Sequence, residues 1–330
     1  MVVDGRGPQM PAPKRKAAFL EPMLLLRADT LPEGDAWQYE LKFDGYRALA
    51  IKTGGKIRLR SRNDNDFSLR YPAIAKALSS LPNETVIDGE VVALDQSGKP
   101  SFNTLQNHAA GAQLHFFVFD VLILAGRDVM GEPLTKRREL MERHIFPKLS
   151  DPIRYSPPLD ARLSDLVHSV KAQGLEGLVA KRRDSRYESG ERSGAWLKMR
   201  INRGQEFVIG GYTVGGATFD ALIFGYYEDG KLIYAARTRN GFTPRLRQDL
   251  MKRFQPLQVA ACPFANLPEA KSGRWGAGLT AKKMVDCRWL KPVLVGQFEF
   301  VEWTGENHLR HTRFMGLRDD KRPKDVVRER

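Results

Sequence analysis

Short β-type segments separated by turn signals constrain the fold of this chain more than any other feature of its sequence. Apolar and polar residues alternate between 37 and 60, and the Gly54-Gly55 pair inside this stretch predicts a hairpin. The nearly continuous apolar run at 115–124 is typical of a strand buried on both faces. Further strands are predicted at 85–94 and 177–181, and helices at 71–81, 134–146 and 163–173. Strand pairs and helices in this irregular order indicate an α+β fold rather than a regular parallel βαβ series.

The pattern changes after Trp196, where strands dominate. Short strands are predicted at 206–214, 221–228, 231–238 and 293–304, with one helix at 244–254. This succession favours a small barrel of the OB type, a fold that often binds nucleic acid. We therefore expect a domain of antiparallel sheets with flanking helices at 23–203, followed by a C-terminal OB-fold domain at 204–330. Residues 1–22, which include the basic run 14–16, are expected to form a flexible basic arm.

The balance of charges suggests a polyanionic partner. The formal net charge is +14, with 53 Lys and Arg against 39 Asp and Glu. A solubilising surface or an anionic membrane are the alternatives, but no apolar run approaches the ~20 residues that a membrane span needs. Cys262 and Cys287 lack the spacing of a zinc site or a disulfide framework and are expected to be reduced thiols. Because no secretory signal is recognisable, a cytoplasmic location is expected.

The stretch from Glu40 to Arg47 contains the residue with the most distinctive chemistry. Lys42 follows an alternating apolar run, which predicts a rigid position at a strand end, and the Asp44-Gly45 pair turns the chain sharply. A lysine amine is a covalent nucleophile in its unprotonated form, which a nearby cation such as Arg47 favours. Taken alone, the octapeptide also fits a surface lysine beside an ordinary hairpin turn, and both interpretations stay open.

Three further residues stand at places where each has a chemical and an ordinary interpretation. Arg62, in the Ser61-Arg62-Asn63 run, could contact a phosphate or belong to a plain polar turn. Glu90 interrupts an apolar strand, so it needs a buried partner, a ligand hydroxyl or a salt bridge across the sheet. Phe119 could stack on a nucleobase or pack in the core.

Two later strands carry charges in a regular alternation. In the first, Gly177, Val179 and Lys181 share a face that is opposite to Glu176. In the second, Lys198 and Arg200 lie on one face. Two adjacent cations on one face repel each other, and a bound triphosphate would relieve that repulsion.

In this order the residues resemble the covalent nucleotidyltransferase superfamily, and most closely the ATP-dependent DNA ligases. The run from Lys42 to Arg47 is similar to the family's lysine-x-Asp-Gly-x-Arg nucleophile motif. The later motifs are matched in order by 61–63, 88–90, 119–120, 176–181 and 196–198, and the OB-domain motif by 314–321. That last motif, with 303–304 and 309–311 before it, most resembles the ligase module of bacterial end-joining ligases.

Two positions depart from the family pattern. Asp64 follows the Ser-Arg-Asn run where the family has glycine; the turn can survive because Asp tolerates left-handed backbone, although an acid near a DNA phosphate would weaken nick binding. Arg200 replaces a second lysine, which keeps the charge but loses a point-like ammonium.

The resemblance implies an adenylation domain and three nucleotidyl transfers that seal 5′-phosphate/3′-hydroxyl breaks in DNA. ATP would form a covalent AMP on Lys42, with Mg²⁺ or Mn²⁺ as the metal. The other implied roles are nucleotide binding for Glu40, ribose contacts for Arg47 and Glu90, adenine stacking for Phe119, metal binding for Glu90 and Glu176, α-phosphate contacts for Lys181 and Lys198, nick 5′-phosphate binding for Arg62, and pyrophosphate contacts for Arg318 and Lys321.

The partners implied are nicked or broken double-stranded DNA and, from the end-joining resemblance, Ku and a primase-like polymerase. A nucleoid-associated monomer is expected, either a stand-alone ligase or a module of a larger one. The alternatives are an RNA ligase or a GTP-using capping enzyme, which share the lysine motif. A non-catalytic OB-type DNA-binding protein is a further alternative, but it would be expected to lack Lys42, Glu176 or Lys198, and all three are present.

Overall fold

The computed structural model describes residues 14–107, 112–201, 204–271 and 278–329. These residues form two compact units. The first unit comprises 14–92, 114–169 and 177–199, and the second comprises the described parts of 93–113, 170–176 and 200–330.

The strands of the described chain are β1 (Leu26–Arg27), β2 (Trp37–Lys42), β3 (Tyr46–Thr53), β4 (Lys56–Ser61), β5 (Thr85–Leu94), β6 (Gln113–Leu124), β7 (Arg127–Asp128), β8 (Ile153–Tyr155), β9 (Gly177–Arg182), β10 (Trp196–Arg200), β11 (Gly204–Gly215), β12 (Thr218–Glu228), β13 (Lys231–Thr238), β14 (Gln258–Val259), β15 (Cys287–Glu299), β16 (Glu302–Trp303), β17 (Leu309–Arg310) and β18 (Arg313–Leu317). The α-helices are α1 (Pro72–Ala77), α2 (Phe102–Asn107), α3 (Leu134–His144), α4 (Leu163–Ala172), α5 (Pro244–Phe254) and α6 (Ala281–Met284). This mixture confirms the predicted α+β class.

Two sheets build the first unit. One has the strand order β1-β10-β9-β2, and the other has the order β4-β3-β5-β6-β7, with β8 paired parallel to β6. Apolar side chains from both sheets meet in one core, to which Leu49 and Val86 contribute from the larger sheet and Trp196 from the smaller. Burial of this apolar surface is the main force that holds the two sheets together.

The predicted hairpin in the first unit is confirmed. Strands β3 and β4 pair antiparallel, with Thr53 opposite Lys56. The two turn residues, Gly54 and Gly55, have φ angles of +55° and +76°. Positive φ at both central positions matches the right-handed twist of the strands and favours glycine.

The prediction of a flexible arm is wrong for its described part, residues 14–22. The backbone N–H of Ala17 donates to Glu84 Oε2 at 2.7 Å, and that of Arg15 donates to the Gly126 carbonyl at 2.6 Å. Ala17 is buried, and Phe19 packs against the core. Glu84 is itself fixed, because its carboxylate also accepts a hydrogen bond from the hydroxyl of Thr53. It can therefore hold the backbone of Ala17 in place. The remainder of the predicted arm, 1–13, lies outside the described residues.

The second unit is built on an antiparallel sheet with the order β13-β12-β11-β15-β14, and β18 also pairs with β15. Helix α5 begins at Pro244, and the hydroxyl of Thr243 caps it by accepting a hydrogen bond from the backbone N–H of Leu246 at 3.2 Å. Its buried side chains, Leu250 and Phe254, pack into the core of the sheet. Several strands and one such helix agree with the predicted OB-fold-like domain.

One strand of the second unit begins and ends earlier than its predicted range of 293–304, since β15 spans Cys287–Glu299. The sequence predicts a start at residue 293, whereas β15 begins at Cys287 and runs through Pro292. A proline inside a strand is unfavourable because it lacks the N–H of the ladder. Here the pairing with β11 shifts between Leu294, opposite Ile209, and Trp289, opposite Gly211, so Pro292 falls in an irregular stretch.

Among the described residues, no helix is long and apolar enough to cross a membrane.

Candidate active site

Lys42 is the last residue of β2, and its partner across the sheet is Gly177 of β9. This pairing holds the backbone of the lysine in a fixed position. The next strand, β3, belongs to the other sheet, so the link through Asp44 and Gly45 joins two sheets instead of closing a hairpin. The interpretation of Lys42 as a residue beside an ordinary hairpin turn is therefore wrong.

Gly45 lets this link pass close to β5. A Cβ atom built on Gly45 would lie 2.3 Å from the carbonyl oxygen of Val91 and 2.9 Å from Cγ of Glu90. No ordinary side chain fits such a close approach between backbones, which is a typical use of glycine. The glycine of the nucleophile motif is thus required by steric contact and not by a left-handed backbone.

A pocket opens next to Lys42 within the first unit. The residues around it come from strands of both sheets and from the segment before β1: Leu25, Glu40, Leu41, Lys42, Phe43, Arg47, Glu90, Phe119, Val179, Lys181 and Trp196. Aromatic and aliphatic side chains with a few placed charges are the usual lining of a site for a small organic ligand.

The carboxylate of Glu40 is buried in the wall of this pocket, with 2% of the residue exposed. Its Oε2 lies 2.8 Å from Nζ of Lys181. Its Oε1 accepts hydrogen bonds from Arg138 at 2.6 Å and from the amide of Gln38 at 2.9 Å. Two cations and an amide therefore offset the unfavourable desolvation of this charge.

Lys181 is held at Glu40 and between two rings. Its Nζ lies 4.3 Å from the ring centroid of Phe119 and 4.3 Å from that of Trp196, within cation–π distance. Burial lowers the pKa of Lys181, and the attraction of Glu40 opposes this shift. The ammonium is paired with a carboxylate in this position, which differs from the α-phosphate contact that the resemblance implies.

Arg47 lines the pocket but makes its strongest contacts away from it. The guanidinium donates to both carboxylate oxygens of Asp88, at 3.0 and 2.6 Å, and to the carbonyl of Met23 at 2.7 Å. Burial alone would lower the pKa of Arg47, but the attraction of Asp88 outweighs it and raises the pKa above its usual value. The guanidinium lies 5.3 Å from the centroid of the Phe119 ring.

Glu90 is partly buried on β5, directly opposite Arg47 on β3, and it lines the pocket. A close ion pair across this sheet joins Arg47 to Asp88, which is fully buried. Glu90 and Asp88 are two residues apart and share a face of the strand. The strand thus presents one carboxylate as a structural anchor and the other to the pocket.

Phe119 presents a partly buried ring to the pocket. The ring packs edge-on against Trp196, with centroids 6.4 Å apart and an interplanar angle of 80°. Val179, on β9 opposite Glu40, is another lining residue. An aromatic ring and an aliphatic side chain in one pocket are suited to hold a planar base.

Arg62 is in the turn after β4, and its side chain is partly buried. The departure at Asp64 is accommodated there, because Asp64 has a φ angle of +62°, in the left-handed region that glycine favours. The carboxylate of Asp64 accepts a hydrogen bond from Arg60 at 2.7 Å. Arg60 therefore compensates part of the negative charge that this departure introduces.

Lys198 lies on β10, two residues beyond Trp196, and its strand neighbour is Arg27 of β1. Side chains two residues apart in a strand point to the same face. Lys198 is therefore on the same face of the sheet as the pocket-lining Trp196.

Three residues of the expected site, Glu176, Arg318 and Lys321, lie in the second unit, where carboxylates surround Arg200. Its guanidinium lies 3.4 Å from Glu176, 3.4 Å from Glu206 and 3.1 Å from Glu329. Lys321 lies 3.2 Å from the same Glu206. The replacement of lysine by arginine at this position suits a multiple contact of this kind, because guanidinium has five donors.

Arg318 is also engaged within the second unit. It donates to both carboxylate oxygens of Asp320, at 2.9 and 2.8 Å, and lies 4.7 Å from the centroid of the Phe102 ring. Its exposed fraction is only 8%. Asp320 uses two of the five guanidinium donors, so the others can serve a ligand phosphate.

Sequence reasoning missed Arg138, Gln38 and Asp88 as residues that shape the site. One signal was available for Arg138, which lies at the fourth position after Leu134 and the third before Met141 on α3. Those two residues are fully buried and mark the apolar face of the helix. An arginine on such a face requires a buried acid, although the helix alone does not indicate which one.

The carboxylates fit a weakly held divalent cation better than a protein-enclosed one. Among the described residues, no group of three or more His, Cys, Asp or Glu side chains could hold a metal ion. Mg²⁺ commonly binds through one or two carboxylates together with waters and substrate phosphates. Glu90, in the first unit, and Glu176, in the second, are carboxylates of the required type.

Comparison with protein families supports the order of motifs. A family model described as the ATP dependent DNA ligase domain matches residues 22–200. A second, described as the ATP dependent DNA ligase C terminal region, matches residues 215–321.

Several bacterial proteins are similar in sequence. The chain is 35% identical over 300 residues to the multifunctional non-homologous end joining protein LigD of Mycobacterium bovis, covering 89% of this chain and 37% of that protein. It is 33% identical over 322 residues to the LigD of Pseudomonas aeruginosa, covering 94% and 37%. It is 27% identical over 329 residues to DNA ligase C1 of Mycolicibacterium smegmatis, covering 92% and 91%. The chain thus spans little more than a third of the LigD proteins.

A solved structure is similar as well. It is described as mycobacterial DNA ligase D complexed with ATP and MES, and it matches with a TM-score of 0.67 at 34% identity. The match covers 94% of this chain and 98% of the solved one.

Proposed function

Because the chain belongs to the ATP-dependent DNA ligase family, we propose that it seals 5′-phosphate/3′-hydroxyl breaks in duplex DNA through an AMP bound covalently to Lys42. The observation that carries this proposal is the position of Lys42. The motif lysine ends a paired strand beside a pocket with an aromatic ring, an aliphatic side chain and a buried carboxylate. A fixed amine beside a base-sized site is what attack on a bound nucleotide requires.

The reaction consists of three transfers of a nucleotidyl group. Nζ of Lys42 attacks the α-phosphorus of ATP, so that an N–P bond forms, the bond to pyrophosphate breaks and the amine loses a proton. The AMP then passes to the 5′-phosphate of DNA, which restores the lysine and forms a pyrophosphate linkage. Finally the 3′-hydroxyl attacks that DNA phosphate, AMP leaves, and the phosphodiester bond is made.

The residues of the first unit divide into a base end and a phosphate end. Phe119 would stack on adenine, Glu40 would bind its edge, and Glu90 with Arg47 would contact the ribose. Lys198 would contact the α-phosphate. Lys181 would contact it as well, because its hydrogen bond to Glu40 uses only one of the three N–H donors of the ammonium.

Arg62 would bind the 5′-phosphate of the nick. Its position in a turn that Arg60 and Asp64 stabilise supports this role, because a fixed turn orients the guanidinium. The basic character of the chain, with a net charge of +14, supports contact with the DNA backbone.

A divalent cation would neutralise charge on the phosphates and the leaving pyrophosphate. Glu90 in the first unit and Glu176 in the second are each proposed as ligands, and the metal would be Mg²⁺ or Mn²⁺.

Arg318 and Lys321 would act on the departing pyrophosphate. In the second unit they pair with Asp320 and Glu206, and both keep further N–H donors that would bind phosphate oxygens. The family models at 22–200 and 215–321 support the proposed division into an adenylation domain at 23–203 and an OB-fold domain at 204–330.

We further propose a role in end joining, with Ku and a primase-like polymerase as partners and association with the nucleoid. The names of the LigD relatives support this context. If the proposal is correct, addition of Ku should stimulate sealing of double-strand ends more than sealing of nicks.

The central test is a two-part assay with purified protein. Incubation with ATP and Mg²⁺ should add one AMP to Lys42, detectable by intact mass and peptide mapping, and a nicked duplex should then be sealed. Lys42→Ala should lose both activities. Lys56→Ala, at an exposed position of β4, is the matched control and should keep both.

The assay also separates the rival functions. A GTP adduct in place of an AMP adduct would indicate a capping enzyme, and preferential sealing of RNA would indicate an RNA ligase. DNA binding with no adduct from wild-type protein would indicate a non-catalytic binding protein and would refute the proposal.

A further inference from the structure

Arg138 contacts the proposed nucleotide pocket through one of its lining residues, Glu40. It extends from helix α3 to Oε1 of Glu40, and it does not line the pocket itself. The residue is 4% exposed, and the two side chains are 98 positions apart in the chain. A buried arginine that contacts a pocket carboxylate but does not line the pocket can control the position of that carboxylate without touching the ligand.

Several contacts fix the guanidinium of Arg138. One nitrogen donates to the backbone carbonyl of Ser156, and Nε donates to the hydroxyl of Tyr155 at 3.0 Å. That hydroxyl donates to Glu142 at 2.6 Å, and the Tyr155 ring lies 5.0 Å from the guanidinium. The arginine is therefore oriented by strand β8 and by its own helix, independently of Glu40.

The carboxylate of Glu40 has a defined number of acceptor sites. Two carboxylate oxygens offer about four lone-pair sites and no donor. Lys181, Arg138 and Gln38 use three of them. One acceptor site remains for a group in the pocket, and adenine carries an amino group on C6 that donates hydrogen bonds, whereas guanine carries an oxygen acceptor there.

We propose that Arg138 is a positioning residue that sets the base preference of the ligase: it holds Glu40 so that the remaining acceptor site faces the 6-amino group of adenine. The inference rests on the proposed function and adds to it the residues that recognise the base. Without Arg138, Glu40 keeps Lys181 and Gln38 but loses its anchor to α3 and β8. The carboxylate then lacks its contact on Oε1 from the guanidinium and can rotate about its remaining partners, so the acceptor is no longer fixed.

The test compares two nucleotides that differ only in that amino group. Rates of AMP-type adduct formation on Lys42 are measured with ATP and with purine riboside 5′-triphosphate, which has hydrogen at C6. A hydrogen bond to a charged acceptor contributes about 1.5–3 kcal/mol, so wild-type protein should favour ATP by about 10- to 150-fold in kcat/KM. In Arg138→Met this preference should fall to within about threefold, mainly through a higher KM for ATP.

Further variants distinguish positioning from a general structural role. Arg138→Lys retains a donor for Glu40 and should restore part of the preference. Tyr155→Phe removes one anchor of Arg138 and should reduce the preference less than Arg138→Met does. Arg143→Met, on the exposed face of the same helix, is the matched control and should leave the preference unchanged.

Equal losses with both nucleotides in Arg138→Met, with the preference for ATP preserved, would overturn the inference. If that variant does not fold, an unchanged preference in both Arg138→Lys and Tyr155→Phe would overturn it equally. A wild-type protein that reacts with both nucleotides at the same rate would do so as well. A wild-type protein that forms no adduct with either nucleotide would instead refute the proposed function.

Discussion

The substitution Asp120→Asn tests the buried ion pair that joins strand β6 to helix α3. Asp120 accepts two hydrogen bonds from Arg137, from Nε and Nη2, both at 2.8 Å, and neither side chain is exposed. The guanidinium also donates to the carbonyls of Glu132 and Ser185, at 2.7 and 2.8 Å. Asparagine keeps the shape but removes the charge, and it places an N–H₂ group against a guanidinium N–H.

The expected effect is large because the remaining charge cannot reach water. Removing one partner of a buried pair typically destabilises a protein by about 3–5 kcal/mol. For a unit of this size, each kcal/mol lowers the melting temperature by about 2–4 °C. Asp120→Asn should therefore lower the melting temperature of the first unit by about 6–20 °C.

Differential scanning calorimetry with the complete chain measures this change. Asp184→Asn is the matched control, because Asp184 pairs with Arg182 at 2.7 Å on the surface of the same unit. An exposed pair contributes little, so the control should melt like the wild-type protein. The double variant Asp120→Leu with Arg137→Met removes both charges and should recover part of the loss, since an apolar pair can replace a buried ion pair. The carbonyls of Glu132 and Ser185 lose their donor, so the recovery should be incomplete.

A decrease in melting temperature of under 2 °C for Asp120→Asn would refute the reasoning. A double variant that melts lower than the single one would also contradict it, because the unpaired charge would then not be the main part of the penalty.

Three other outcomes are expected. Gly45→Ala should destabilise the first unit by about 1–3 kcal/mol, because its Cβ would lie 2.3 Å from the Val91 carbonyl oxygen; urea unfolding would measure the change. Lys321→Ala should slow adduct formation on Lys42 more than sealing of pre-adenylylated DNA, and equal losses in the two assays would count against its pyrophosphate role. Burial raises the pKa of Cys287 from 9.0 to about 11, so the thiol ionises in the unfolded chain before it does in the folded one. The free energy of unfolding should then fall as pH rises from 9 to 11, and urea titrations should show a weaker fall for Cys287→Ala.

Local patterns in the sequence predicted the secondary structure well. Strand 85–94 and helix 244–254 have the predicted bounds, because apolar periodicity, Thr243 and Pro244 act within a few residues. The start of β15 was missed because Pro292 argues against a strand, and only the pairing with β11 shows that the proline falls in an irregular stretch.

The structure brings together some of the expected site residues. Glu40, Lys42, Arg47, Glu90 and Phe119 line one pocket. Their roles toward ATP stay predictions. In the second unit, Glu176, Arg318 and Lys321 pair with other side chains, which the sequence did not indicate.

What the sequence by itself determined is the chemistry: the strand that ends at Lys42, the turn glycines, and the motif order of a DNA ligase. What only the tertiary structure decided is which charges meet. Glu40 pairs with Arg138, 98 residues away, and with Lys181, 141 residues away. The physical reason is that hydrogen-bonded periodicity acts between neighbours in the chain, whereas a buried carboxylate is stabilised by whichever donors the packed sheets and helices bring within 3 Å.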